Sequence, residues 1–498
     1  MSKSNESSIC RCLKIALGLS LLSITQSSVF ANATYDKSLA DGSLAKEGRA
    51  ALEFYDDKNP DDISAPRLSN RTLAYPAVRS NRLRPLFELG DPFVSNGPIR
   101  PGIETPTGQM LQPWFLLYGS LRSALQSFDD GHQTYAEWAN RLDLIGNVNL
   151  SGTERLVFAL RPVDGQNGSY SGYNFEPNQN DGWTEDFNSR LTKLFFEGDL
   201  GEIFPNLDPN DSHSYDIGFS VGRQQLSAQD GILLNENIDA VGITRNSLML
   251  PGVSNLRLTG IFGWNHINRG NNDDRYRIDY HSGSLFGLLT AADTALNNTV
   301  EMDLLHMGGE GNADAWYIGA GSTQRFGELN STFRVNASIP AHNQSLNVGR
   351  GVLLLSQLST AISGSDNNLY FNTFLNVGDF TSAARSPNLG SPLANLGLLY
   401  DPVGMGRYGI PLDGLIDNTI GATIGYQMFL GGIDKQLIIE TGGRTSTRSE
   451  QNEGALGFGM RYQQAFGKRY QFRVDSFVAG KDQTDINYGF RTEWMVRF

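Results

Sequence analysis

Arginine carries most of the chemistry legible in this sequence. It recurs at alternate positions beside carboxylates, as in Arg141-Leu142-Asp143, Arg473-Val474-Asp475 and Arg491-Thr492-Glu493, and again at Arg155, Arg161, Arg257, Arg275, Arg277, Arg334 and Arg461. A guanidinium stays charged at any physiological pH, and its planar fork holds a carboxylate or phosphate through two parallel hydrogen bonds. Alternate spacing places such side chains on one face of a strand. The pattern describes a basic surface carried by strands and suited to binding or passing anions. Each arginine has a structural alternative, an ion pair with Asp or Glu on a neighbouring strand that braces the sheet.

Other chemistries fare worse. The six histidines, His132, His213, His266, His281, His306 and His342, are scattered and contain no His-x-x-x-His pair. There is no Gly-x-Ser-x-Gly elbow and no phosphate-cradling loop. A hydrolase using Ser and His from adjacent strands would leave no local signature. Acidic clusters at Asp129-Asp130, Asp208 to Asp211 and Asp273-Asp274 lack the twelve-residue spacing of a dedicated calcium loop and read as solvated charge. No metal and no cofactor is expected.

The elements that must position the arginines are strands. From Tyr488 to Phe498 one set of alternate positions holds Tyr488, Phe490, Thr492, Trp494, Val496 and Phe498, and the other holds Arg491, Glu493 and Arg497. Strict period two is a strand signal, and a stretch of this length crosses a bilayer when tilted. Similar apolar faces begin at Trp114 to Leu125 and recur through Leu142-x-Leu144, Leu156-x-Phe158, Leu194-x-Phe196, Phe219-x-Val221, Leu256-x-Leu258, Tyr276-x-Ile278-x-Tyr280, Phe333-x-Val335, Leu369-x-Phe371, Ile424-x-Tyr426, Leu437-x-Ile439, Phe458-x-Met460 and Phe472-x-Val474. Weaker stretches lie near 232–248, 300–307, 315–325 and 350–361, which brings the number to about eighteen.

Connections alternate in length. Short ones fall at Phe466-Gly467-Lys468, Gly431 to Asp434, Gly364 to Asn367, Phe326-Gly327-Glu328, Pro251-Gly252-Val253 and Ser151-Gly152; long ones span Val163 to Phe187, His266 to Asp274, Pro340 to Arg350, Asp379 to Asn418 and Arg444 to Glu453. Alternation of short turns on one rim with long loops on the other is a barrel property. Gly201 to Ser214 breaks the rule, as a miscounted strand there would. The expected fold class is therefore all-β, a transmembrane antiparallel up-and-down β-barrel of about 18 strands.

Composition agrees: 39% hydrophobic residues, 10% aromatics and 55 glycines suit strands with one polar face. With apolar faces to lipid, Arg141, Arg155, Arg161, Arg257, Arg275, Arg277, Arg334, Arg461, Arg473 and Arg491 line the lumen and outnumber the inward carboxylates. The net charge of −13 disfavours nucleic acid as a partner. Residues 1–31, with Lys3, Arg11 and Lys14 before an apolar run and Val29-Phe30-Ala31 at the end, read as a signal peptide. Its loss removes Cys10 and Cys12 and excludes thiol chemistry. Residues 32–112, rich in Pro and Gly, read as an irregular arm or plug, and 113–498 as the barrel. Leu393, Leu396, Leu399, Tyr400 and Tyr408 make the segment from Ser386 to Asp417 too apolar for a solvated loop; it is expected either to fold into the barrel mouth as a constriction or to pack over the rim.

The closing strand with its final Phe498 resembles that of bacterial outer-membrane β-barrels. That resemblance implies a cell outer-membrane location, contact with outer-membrane lipid and lipopolysaccharide, and recognition of Phe498 as an assembly signal by the barrel-insertion machinery. Gly222-Arg223-Gln224 resembles the strand end of the alginate-export porin family, which implies acidic saccharides as cargo. Strict alternation from Val221 points Arg223 outward unless Gly222 forms a bulge. The expected function is a porin for small or anionic solutes. The alternatives are a closed barrel that presents loops for adhesion, or an outer-membrane hydrolase.

Overall fold

Each alternating stretch has one face that must leave water, and a strand in lipid cannot leave its backbone groups unpaired; a closed ring of antiparallel strands satisfies both demands. The computed structural model describes residues 83, 85–90, 102–164, 170–175, 182–210, 212–269, 278–280, 283–309, 314–342, 348–386, 389–412, 414, 417–448, 454–482 and 484–498. The expected signal peptide 1–31, most of the expected arm, Arg275 and Arg277 lie outside them.

Eighteen strands form the ring: β1 Trp114–Asp129, β2 Thr134–Asn149, β3 Arg155–Leu160, β4 Leu191–Asp199, β5 Ile217–Ala228, β6 Leu234–Leu250, β7 Val253–Asn265, β8 Ser284–Thr294, β9 Asn298–Gly308, β10 Ala315–Phe326, β11 Leu329–Pro340, β12 Gly351–Ala361, β13 Asn368–Gly378, β14 Thr419–Phe429, β15 Lys435–Ser446, β16 Ala455–Phe466, β17 Tyr470–Lys481 and β18 Asn487–Arg497. Neighbours pair antiparallel, and β18 closes on β1 from Tyr488 opposite Asp129 to Arg497 opposite Ser120. Gly119 and Phe498 then exchange backbone bonds of 2.8 and 3.1 Å. The remaining edge of β1, Trp114 to Leu117, is taken by a short strand Phe87–Gly90. Residues Ile103–Glu104 and Met110–Leu111 form a small hairpin, so the segment expected to be irregular contributes local sheet next to the barrel's first strand.

The outer surface is an apolar belt that includes Leu125, Ile243, Phe286, Val335, Phe371, Ile424, Phe458 and Trp494, all exposed. On the Phe498 rim most connections are tight, such as residues 251–252 and 327–328. Gly327 takes φ 61° in one of them, a conformation open to glycine without strain. The long connection at 200–216 is a true one. It holds a helical turn, Leu200–Ile203, capped by Asp199, whose Oδ1 accepts from Gly201 N at 2.9 Å, and then Pro205–Leu207.

One strand lies elsewhere than its sequence pattern predicts. Ile278–Tyr280 pairs with Ile267–Arg269 in a small hairpin beyond β7, and the ring's eighth strand is Ser284–Thr294. Its alternation is masked because both faces are apolar. Phe286 and Leu288 are exposed outside, while Leu285 is fully buried inside and Leu289 packs with it.

That inward burial reflects a core within the lumen. Residues 229–233, 379–386 and 389–412, all from the rim opposite Phe498, fold inward and bring Ile232, Leu233, Phe380, Leu393, Leu396, Leu399, Tyr400 and Leu412 into one core with Leu285, Leu305, Tyr317, Phe374 and Phe477 of the wall. Leu234 and Asn235 pair in parallel with Ala384 and Arg385. The expected constriction from the long loop is present, and it is an apolar plug anchored to the inner wall.

Candidate functional site: a basic cavity in the barrel wall

Sheet register brings inner-wall charges into line. Arg461 stands opposite Asp475, Asp475 opposite Arg491, Arg491 opposite Gln126, and Gln126 opposite Glu137. The side chains follow. Asp475 accepts from Arg461 Nε at 2.5 Å and from Arg491 Nη1 at 2.9 Å. Gln126 accepts from Arg491 Nε at 2.9 Å and donates to Glu137 at 2.6 Å. Glu493 bridges Arg491 and Arg122, the latter at 2.7 Å. Arg491 has no exposed surface. A buried charge survives only when paired and hydrogen-bonded, so Arg461 and Arg491 brace the wall. Arg473 differs: no carboxylate lies within ion-pair distance of it among the described residues.

The plug meets this row of charges. Glu137 accepts from Arg407 N at 2.6 Å and Nε at 2.9 Å, and Arg407 lies over the Tyr135 ring. Gly406, at φ 64°, makes the approach feasible, because a Cβ there would sit 2.2 Å from the Glu137 carboxylate. Glu440, fully buried, accepts from the backbone of Leu398 and Leu399 at 3.0 and 2.9 Å. Asp401 reaches to 3.8 Å from Arg461, and burial pushes its carboxyl above the usual range.

Beside the plug lies a cavity of about 760 Å³ lined by Arg141, Arg155, Arg161, Arg190, Lys193 and Arg223, with Asp143 and Glu236 the only lining carboxylates among the described residues. Asp143 is shared, 2.9 Å from Arg141 and 3.0 Å from Arg161. Arg141 also donates to Gly404 O at 2.8 Å, joining the cavity to the plug. Arg155 pairs with Glu197. Asp164, nearly buried behind this group, has its pKa pushed up to about 6 by burial, against the pull of Arg161 and Arg141. Two guanidiniums around one carboxylate leave charge to offer an anion.

Of the arginines expected to line the lumen, Arg141, Arg155 and Arg161 thus come together, and Arg461, Arg473 and Arg491 occupy three adjacent strands. Arg334 lies apart, enclosed by Asp230, Glu301 at 2.5 Å and Gln229 at 3.1 Å. Arg257 faces a second cavity, of about 610 Å³, whose lining includes Glu197, Asp199, Asp230, Glu301 and Asp303. The expected basic inner wall thus holds two differently charged spaces: the first cavity is lined mainly by cations of β2 to β5 and their connections, the second by carboxylates of β4, β9 and residue 230 together with Arg257. Inward loops bring this about, since Asp230 reaches the acidic side from 229–233.

Sequence reading missed Arg122, Arg190 and Arg407. Arg122 shares its face with Ser120 and Gln126, but the run Trp114 to Leu117 before them is apolar on both faces and hides the phase. Arg190 and Arg407 lie in connections, where alternation gives no signal.

Gly222 takes φ 120° without interrupting the pairing of β5 with β6, so Arg223 stays on the face of Val221, opposite Asp239, to which it is bonded at 2.8 Å. Gln224 points the other way and donates to Ala240 O at 3.2 Å.

No protein-family model and no curated protein sequence matches the chain. Among solved structures it is similar to a BenF-like porin from Pseudomonas fluorescens Pf-5, with 11% identity, TM-score 0.52 and 77% of this chain covering 98% of that one. It is similar also to the outer membrane protein OpdK of Pseudomonas aeruginosa, at 12% identity, TM-score 0.51 and the same coverage, and to OccAB4 of Acinetobacter baumannii, at 9%, 0.50 and 79% of this chain against 100% of that one. At such identities the likeness is one of fold: the chain is a closed, 18-stranded antiparallel β-barrel of porin architecture.

Proposed function

We propose that the chain is an outer-membrane channel through which small anionic solutes diffuse passively. The observation that carries this reading is the basic cavity, where among the described residues six cationic side chains and two carboxylates form the lining and, although Arg155 and Arg223 are paired with Glu197 and Asp239, Asp143 serves two arginines at once. An entering carboxylate or phosphate takes over part of that sharing, binding firmly enough to enter and weakly enough to leave. Carboxylates of the second cavity, Asp230 of an inward-folded loop among them, oppose this preference, whereas screening over about 8 Å at physiological salt limits the charges of more distant outer loops. The apolar belt fits outer-membrane lipid and lipopolysaccharide, and Phe498 fits a role as the signal read by the barrel-insertion machinery. Acidic saccharides are the finer cargo class that the Gly222-Arg223-Gln224 resemblance adds, with Arg223 at the cavity's edge.

The test is a reversal potential in a planar bilayer under a salt gradient. Anion preference is expected, and cation preference in the native protein would refute the reading. A second reading, a closed barrel that presents loops, is favoured by the extent of the lumenal core around Leu393, Leu399 and Tyr400; absence of any conductance would select it.

A further inference from the structure

The hydrogen-bonded wall is incomplete beside the basic cavity. β4 pairs with β5 only from Leu194 opposite Arg223 to Asp199 opposite Gly218. The rest of β5, Gln224 to Ala228, has β6 on one side and no strand on the other among the described residues. Above Leu191 the sequence's next sheet is the hairpin Ser171–Asn174 with Gly182–Thr184, which pairs with β2 and not with β5. Unpaired backbone groups in hydrocarbon cost several kcal/mol each, so such an edge persists only where water or a polar ligand reaches it.

Three further observations place polar chemistry in this gap. The cavity is lined by residues of both faces of the wall: Arg141, Asp143 and Arg155 from the lumenal face, Arg223 and Gln225 from the outward one. The two faces touch there, since Lys193 Nζ donates to Gln225 at 2.9 Å and Arg223 Nη1 to Leu191 O at 3.1 Å. Asn237, opposite Gln225, keeps a buried side-chain oxygen without a hydrogen bond. At the gap, Leu191 and Leu194 of β4 are exposed.

We propose that the gap between β4 and the upper half of β5 is a side portal, through which the anionic headgroup of a single-chain amphiphile in the surrounding membrane enters the basic cavity. The headgroup, a carboxylate or phosphate, lies against Arg223 and Arg161, and the alkyl chain stays outside against the exposed Leu191 and Leu194. The barrel thereby takes a membrane-borne ligand as well as a dissolved one. This inference rests on the outer-membrane reading. Failure of that reading appears separately, as failure of the protein to insert into bilayers.

The experiment uses the full protein in lipid nanodiscs with a spin-labelled long-chain fatty acid as probe. A Thr192→Cys/Ser227→Cys pair is bridged across the gap by a flexible bifunctional thiol reagent that reduction removes. The native protein is expected to show a saturable immobilised component of the probe. Bridging should reduce it at least tenfold, reduction should restore it, and chloride conductance should be unchanged throughout. Dodecyl phosphate competing for the component assigns the portal to anionic headgroups generally, whereas lack of competition restricts it to carboxylates. Absence of an immobilised component in the native protein, or its persistence after bridging, overturns the portal.

Discussion

Glu137 on β2 receives two hydrogen bonds from Arg407, one from the backbone nitrogen at 2.6 Å and one from the guanidinium at 2.9 Å, and these tie the inward-folded segment to the wall. Glu137 is almost wholly buried. Arg407→Ala removes the cationic partner of that carboxylate while leaving the backbone donor of residue 407 and Gln126, at a cost of about 1–3 kcal/mol, below that of breaking a fully buried pair because Arg407 is partly exposed. The expected result is a loosened plug and a larger single-channel conductance with the barrel still assembled. Unchanged conductance would mean that the plug is held by its apolar core alone.

The arginines of β16 to β18 should separate by role. Asp475→Asn removes one carboxylate partner from each of Arg461 and Arg491, which keep Asp401 and Glu493 respectively, and should lower stability by about 3 kcal/mol, read as a fall in the urea midpoint in detergent or lipid. Arg473→Gln removes a guanidinium with no carboxylate within ion-pair distance. It should leave stability nearly intact and reduce anion preference in the reversal potential. Equal stability losses in the two variants would contradict the division.

Asp164 makes anion preference depend on pH. Its carboxyl is held at about 6, above the ordinary value of 3.8, because burial disfavours the charge. Below about pH 6 it is neutral and no longer offsets Arg161 and Arg141; above, it is ionised. Anion preference is therefore expected to rise as pH falls through 6, and Asp164→Asn should remove the step. For stability the sign is the same. The folded state binds more protons than the unfolded state between pH 3.8 and about 6, so this group's contribution declines as pH rises through that window and levels off above it.

Ile424 tests which face meets lipid. It is exposed on the outward face of β14, one residue from Thr423, whose hydroxyl donates to Leu396 O inside at 2.8 Å. Ile424→Arg should destabilise the folded barrel by roughly 2–4 kcal/mol if the site lies at the bilayer midplane. Comparing urea midpoints in detergent and in lipid vesicles checks this, and a neutral effect in lipid would place the belt out of the membrane.

Deleting Phe498 removes the backbone exchange with Gly119 at the seam. Membrane levels should fall much more than the conductance of the channels that do assemble. Normal levels would count against Phe498 as an assembly signal.

The sequence by itself determined the class of fold, most strand positions and the lengths of the connections, because period-two alternation is local and a barrel wall repeats it. It located β16, β17 and β18 within a few residues, and it placed Arg461, Arg473 and Arg491 on adjacent strands. It failed at β8, where Leu285 and Leu289 face an apolar plug contributed by residues more than fifty positions away in either direction. It could not decide which arginines brace and which stay available. Pairing of Arg491 with Asp475, or of Arg407 with Glu137, depends on cross-strand register and on the path of an inward loop. The basic cavity was therefore decided only by the tertiary structure. Arg141, Arg161 and Arg223 belong to separate segments, and ring closure together with loop insertion brings them around one space.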